Sequence, residues 1–261
     1  MDLEDYDAIG RMREALSRHA DELYASLGSD RARQLCAAMF KALTLRESEN
    51  RGIRRPQTLG RLAQIADVPA TELAPIIEAF RQSGVTFLMP PPEVPLADAT
   101  VIDISHESLM RGWVRLRGWV EEEASSVGIF HRLAESAALH EKGKAGLYRD
   151  PELGIALSWR DEAHANAAWA DQYGGHFDQA MAYLDRSRAE AEREEQEREA
   201  ARQRELAQAR ELAEAQRLRA EEQRRAARRL RAGMVAVAGV AVMASFFAVK
   251  ARREAQPTAA R

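Results

Sequence analysis

Apolar positions recur at helical spacing through most of the first 185 residues. In "DRARQLCAAMFKALTL" Leu35, Met39, Phe40 and Leu43 share one face, with Ser29 or Asp30 placed to cap the helix. "TLGRLAQIAD" repeats the pattern, with Thr58 as cap and Leu59, Leu62, Ile65 and Ala66 inward. "TELAPIIEAFRQSG" predicts a third helix starting at Thr71, which keeps Pro75 near the first turn, and stopping at Gly84. Two short β-like runs follow, "VTFLM" (85–89) and "VIDIS" (101–105), joined by the stiff loop "PPPEVPLADAT". Three helices and then a hairpin is the winged-helix order, predicted over 30–105 after a helical lead-in at 1–29. A helix from Glu107 onward places Leu109, Trp113, Leu116 and Val120 on one stripe. Helical stretches around 128–143 and 160–185 carry Trp159, Trp169, Tyr173, Phe177, Tyr183 and Leu184, so 106–185 reads as a helical bundle. Gly143, Gly146, "RDPELG" and "YGGHF" mark the breaks.

From Arg186 to Arg231 the pattern changes to Ala, Glu, Gln, Arg and Leu without Gly or Pro, the composition of a long helix. Leu206, Leu212 and Leu218 recur every six residues, which walks around a helix rather than building a seam. A charged, solvated stalk over 186–231 is favoured over a strong coiled coil. Its opening (186–199) holds six Glu against four Arg and its end (217–231) seven Arg against two Glu, a gradient that complements the helix dipole.

"AGMVAVAGVAVMASFFAV" (232–249) is 18 residues without a charge. As a helix it spans about 27 Å, close to the ~30 Å of a bilayer core. Arg224, Arg225, Arg228, Arg229 and Arg231 precede it, and Lys250, Arg252 and Arg253 follow in a short tail, 250–261. A buried helix of a soluble protein fits the same run, but basic collars on both sides favour a transmembrane helix. The positive-inside rule then puts the N-terminal body in the cytoplasm, with one pass through the cell inner membrane. Val235, Ala238, Val242, Ser245 and Val249 fall at heptad-like spacing, which suits self-association of spans.

Charge changes the picture of partners. The chain nets −3, but residues 1–185 carry 20 basic and 29 acidic side chains, and the remainder 18 and 12. An acidic body on a basic stem is a poor nucleic-acid binder, while the stem is attracted to an anionic membrane surface. The third helix sets Glu72 and Glu78 against Arg81 alone, the wing loop has Glu93 and Asp98, and "RESENRGIRRP" (46–56) is the body's only basic patch. Nucleic acid is therefore not an expected partner, although a membrane-tethered winged-helix transcription regulator has the same architecture and remains the second reading. Cys36, the single cysteine, lies in an apolar stretch and reads as a small core residue.

Candidate chemistry concentrates at "ISHESLMRGW" (104–113), where a strand gives way to a helix. His106 and Glu107 raise the options of an acid–base pair, half a metal site, a phosphate contact or a helix cap. No Gly-x-Ser-x-Gly, His-Glu-x-x-His or Gly-x-x-x-x-Gly-Lys-Ser/Thr motif occurs, and His19, His131, His140, His164 and His176 lack ligand spacing. No catalytic residue, metal site or cofactor is expected in this chain. Two readings stay open: Ser105 caps the helix and His106 is incidental, or His106 and the free amides of the helix start contact a phosphate oxygen.

"VIDISHESLMRGWVRLRGWVEEE" resembles the His-Glu-x-Leu, Trp and Trp signature that follows the NTPase core in bacterial novel STAND NTPases, many of which continue into WD40 repeats. "YDAIGRMREALSRHADE" (6–22) is similar to the segment leaving that core, and "AMAYLDRSRAEAERE" (180–194) to the family's entry into a charged helix. The resemblance implies that His106 is a nucleotide sensor, by position the counterpart of the Met-His-Asp-like histidine that touches the β-phosphate of ADP, with Glu107 as a structural partner. It further implies a non-catalytic regulatory or signal-transduction module. ATP or ADP would be bound only with a P-loop core, such as that of a separate NTPase partner. The expected fold is mainly α: a winged-helix unit with a small hairpin, a helical bundle, a long charged helix and a C-terminal transmembrane helix.

Overall fold

The computed structural model describes residues 3–46 and 52–254, with side chains from 14 to 252. The chain divides into two compact units, Met1–Glu192 and Arg193–Arg261. The first opens with α1 (Leu3–Ser26) and α2 (Asp30–Ala42). Ser29 caps α2, its side chain accepting from the Ala32 amide at 3.1 Å. An antiparallel hairpin follows, β1 (Thr44–Arg46) and β2 (Gly52–Arg54). It occupies the segment that the sequence presents as a basic loop, of which residues 47–51 lie outside the described residues.

Next come β3 (Gln57–Thr58), α3 (Leu59–Ala66) and α4 (Ala70–Arg81). Thr58 caps α3 through the Arg61 amide at 3.2 Å, and Asp67 ends it in the left-handed region at φ 53°. Helix α4 starts at Ala70, one residue before the expected Thr71, behind Pro69 with no side-chain cap. Pro75 therefore sits inside the helix, on its exposed side, where solvent reaches the carbonyl that its missing N–H leaves unpaired. The strands β4 (Leu88–Met89) and β5 (Val101–Ile104) are shorter than their β-like runs and pair antiparallel, Leu88 opposite Ile104. β5 also pairs with β3, Gln57 opposite Ile102, so the sheet order is β3-β5-β4 with β5 central.

The helix expected from Glu107 is two: α5 (Glu107–Gly112) and α6 (Val114–Glu141), broken at Trp113. α6 absorbs most of the separate helix expected at 128–143. The stretch expected at 160–185 is divided among α7 (Glu152–Ala163), α8 (Ala167–Asp171) and α9 (Phe177–Glu254). Between α8 and α9, Gly174, Gly175 and His176 all take positive φ, so "YGGHF" turns the chain as its glycines predict.

One hydrophobic cluster runs through the first unit. Leu35, Cys36, Met39 and Phe40 of α2 meet Leu73, Ile77 and Phe80 of α4, and all are buried. Phe40 stands edge-on to Phe80 at 5.2 Å and to Trp113 at 5.1 Å, and Trp113 edge-on to Trp119 at 5.3 Å. Phe130, Trp159 and Trp169 continue the aromatic packing towards α7 and α8. Burial pushes the Cys36 thiol up, which makes it a packing residue rather than a nucleophile.

In the second unit every residue from 200 to 252 is exposed. α9 contains an 18-residue window of mean hydropathy 2.2, none of it buried, and is long and apolar enough to cross a membrane. Residues 255–261 of the tail lie outside the described residues.

Candidate functional site

β5, held on both sides by neighbouring strands, delivers His106 to a fixed point. The Ser105 amide donates to the Phe87 carbonyl at 3.0 Å and its hydroxyl donates to the Thr86 carbonyl. Ser105 is thus occupied by the β4 side of the hairpin and does not cap α5, contrary to the capping expectation. His106 itself is the N-cap residue, extended at φ −138° and ψ 138°, and its side chain makes no capping bond. The imidazole is exposed, while Leu109 and Met110, a turn later, are buried. Glu107 pairs with Arg111 at 2.8 Å along the exposed face of α5, a structural role of the i,i+4 type. Neither an acid–base pair nor a ligand cluster forms: among the described residues no group of His, Cys, Asp and Glu has the geometry to hold a metal ion.

Seven residues after His106, the break at Trp113 is held from outside by α1. Trp113 is fully buried, and its indole N–H donates to Asp21 Oδ1 at 3.0 Å. The same oxygen accepts from Arg115 Nε at 2.8 Å, and the Arg115 guanidinium lies 4.4 Å over the Tyr24 ring. Ser17 Oγ accepts from the Val114 amide at 3.3 Å, supplying α6 with the cap that Trp113 cannot give. His19 packs its ring 5.5 Å from Phe87, the residue whose carbonyl holds Ser105. α1 therefore touches both regions, the helix break through the face of Ser17, Asp21 and Tyr24 and the strand side of His106 through His19 on its other side. No local pattern signals this clamp, because Asp21 and Trp113 are 92 positions apart.

Two arginines of the basic patch, Arg54 and Arg55, are committed internally. Arg54 donates to Asp103 Oδ2 at 3.0 Å and to the Ile104 carbonyl at 2.9 Å, tying the β1–β2 hairpin to β5. Arg55 donates to the Tyr173 hydroxyl at 2.8 Å, which donates to Glu123 Oε1 at 2.8 Å. The Trp169 indole donates to the same Glu123 oxygen at 2.6 Å. Burial, and then the Glu123 carboxylate, push the Tyr173 phenol above its usual range. Arg81, the cation of α4, is buried, paired with Glu78 at 2.7 Å and donating to the Pro91 carbonyl at 2.9 Å. It latches the loop after β4 and presents no charge to a partner. An open groove of about 1550 Å³ runs between α2, α6 and α7, past Ala38, Ile129 and Ile155, and is not lined by His106.

The sequence profile of the family described as Novel STAND NTPase 1 matches residues 1–146, which include α1, the sheet, His106 and the Trp113 break. No curated protein and no solved structure matches the chain. The match covers more than half of the sequence, and the chain belongs to the novel STAND NTPase 1 family.

Proposed function

We propose that this chain is a non-catalytic relay of a membrane-anchored STAND-type NTPase, converting the nucleotide state of a P-loop core into a movement passed towards the membrane. The observation that carries the reading is the α1 clamp, Asp21 on Trp113 and Arg115 with Ser17 on Val114. The family resemblance makes α1 the segment that leaves the nucleotide-binding core. A displacement of α1 would then act directly on the helix break behind His106.

In this reading residues 30–105 serve as a winged-helix unit used for packing, with His106 as its nucleotide sensor. Its exposed imidazole is available to the β-phosphate of an ADP held by a separate or covalently linked core. ATP and ADP enter only with that core, since no P-loop motif occurs in the sequence. The buried Arg81 and the committed Arg54 and Arg55 support protein partners over nucleic acid. The apolar end of α9 supports a single pass through the inner membrane with a cytoplasmic body.

The test is ADP binding by the full chain, alone and with a P-loop protein of the family. A complex that binds ADP at least tenfold more weakly with His106→Ala supports the sensor role; unchanged affinity removes it. Fractionation of the full chain against one ending at Arg231 tests the anchor, and equal solubility would refute it.

A further inference from the structure

The arginines before the apolar run of α9 are not spread evenly around the helix. At about 100° per residue, Arg231, Arg224, Arg228, Arg225 and Arg229 fall within roughly 160° of one face. Gln223, Ala226, Ala227 and Leu230 occupy the opposite face. All nine side chains are exposed. Arg225 reaches Glu221 only at 3.9 Å, and among the described residues Arg224, Arg228, Arg229 and Arg231 have no ion-pair partner.

Distance along the axis separates the arginines that matter. With Arg231 at the edge of the hydrocarbon, Arg228 and Arg229 stand about 3–5 Å above it and Arg224 and Arg225 about 9–11 Å. The headgroup layer is roughly 5–8 Å deep on each side, and charge is felt about 8 Å beyond it. Five arginines thus lie within reach of lipid phosphates, whereas Arg217, about 21 Å up, does not. A guanidinium meets a phosphate with two parallel N–H donors, and its stem allows the head to snorkel outward from the apolar edge.

We propose that the face formed by Arg224, Arg225, Arg228, Arg229 and Arg231 is a binding surface for anionic phospholipid headgroups, which tilts α9 towards its basic side. The proposal rests on the membrane reading of residues 232–249. Continuity of the arginine face with that uncharged run favours lipid over nucleic acid as the polyanion, since a bilayer-seated helix brings these groups to the phosphates without further cost. Each arginine near a charged surface changes lipid affinity by about fivefold.

The experiment titrates fluorescent phosphatidylglycerol and phosphatidylcholine into the full chain in neutral detergent, beside carbonate extraction of the same chain from vesicles. The variants are Arg→Gln at 224, 225, 228, 229 and 231 together and, as a control of equal charge change, Arg→Gln at 198, 202, 204, 210 and 217. The expected result is at least tenfold preference for phosphatidylglycerol, lost in the first variant, kept in the second, and weakened by salt. Equal loss in both variants, or no preference at all, overturns the lipid surface while extraction resistance preserves the span. Release of the wild-type chain by carbonate overturns the span and the surface together. Displacement of the lipid by duplex DNA at lower concentration assigns the face to nucleic acid and refutes the proposal.

Discussion

Asp21→Ala tests the clamp at the α5–α6 break in energetic terms. The carboxylate makes two contacts of different worth. Its pair with Arg115 is half in solvent, 39% and 43% exposed on the two sides, so its loss costs about 0–1 kcal/mol. Its bond to the indole serves a residue that is fully buried, so its loss leaves a buried donor unpaired, at about 1–3 kcal/mol. The sum predicts a loss of roughly 1–4 kcal/mol for Asp21→Ala. Asp21→Asn keeps an acceptor for the indole and loses only the charge, so it should cost under about 1 kcal/mol. Trp113, Trp119, Trp159 and Trp169 are all the tryptophans of the chain, so their emission during urea unfolding of the detergent-held full chain reports the body alone. Trp113→Phe completes a double-mutant cycle and should show a coupling of about 1 kcal/mol with Asp21→Ala. Equal losses for Ala and Asn, or additive single variants, would show that the indole bond does not hold the break.

His106→Ala should leave the unfolding midpoint within about 0.5 kcal/mol of wild type, because the exposed ring makes no capping bond; a larger loss by the same fluorescence assay would return His106 to a structural role. Tyr173 and Cys36 hold their protons more tightly folded than unfolded, so their contribution is complete below the ordinary values and is lost as pH rises above roughly 9–10. Midpoints at pH 8, 9.5 and 10.5 should fall with pH, and Tyr173→Phe should flatten the fall; a rise would contradict the sign. Gly60→Ala should cost about 1–2 kcal/mol in thermal unfolding, since a new Cβ would stand 3.3 Å from the Asp98 carbonyl that the Gly60 amide already bonds, and a neutral result would mean that the 97–100 loop yields freely.

Helices with a clear apolar stripe and a capping residue were legible. Ser29 and Thr58 cap as their positions imply, and Leu35, Phe40, Leu62 and Ile77 are buried. The hairpin at 44–54 was not legible, because its three-residue strands bracket a charged stretch that carries no alternation. The break at Trp113 was hidden as well: Leu109, Trp113 and Leu116 keep helical spacing in the sequence, yet Trp113 leaves the helix at ψ 107° so that its indole can enter the core. For the candidate site, His106 and its strand-to-helix setting could be read in advance. Its surroundings could not, because Asp21, Ser17 and His19 meet Trp113, Val114 and Phe87 through tertiary contacts that no local pattern encodes.

The complete exposure of residues 200–231 has a kinetic corollary. A helix with no buried face opens turn by turn, so its amides exchange with solvent at a rate set by local fraying, independent of unfolding in the aromatic core. Hydrogen exchange should therefore find fast amides here between a protected body and, in a bilayer, a protected apolar end. The same transient openings put its arginines within reach of trypsin, so limited digestion should cut this stretch before Leu35–Phe80 loses any protection.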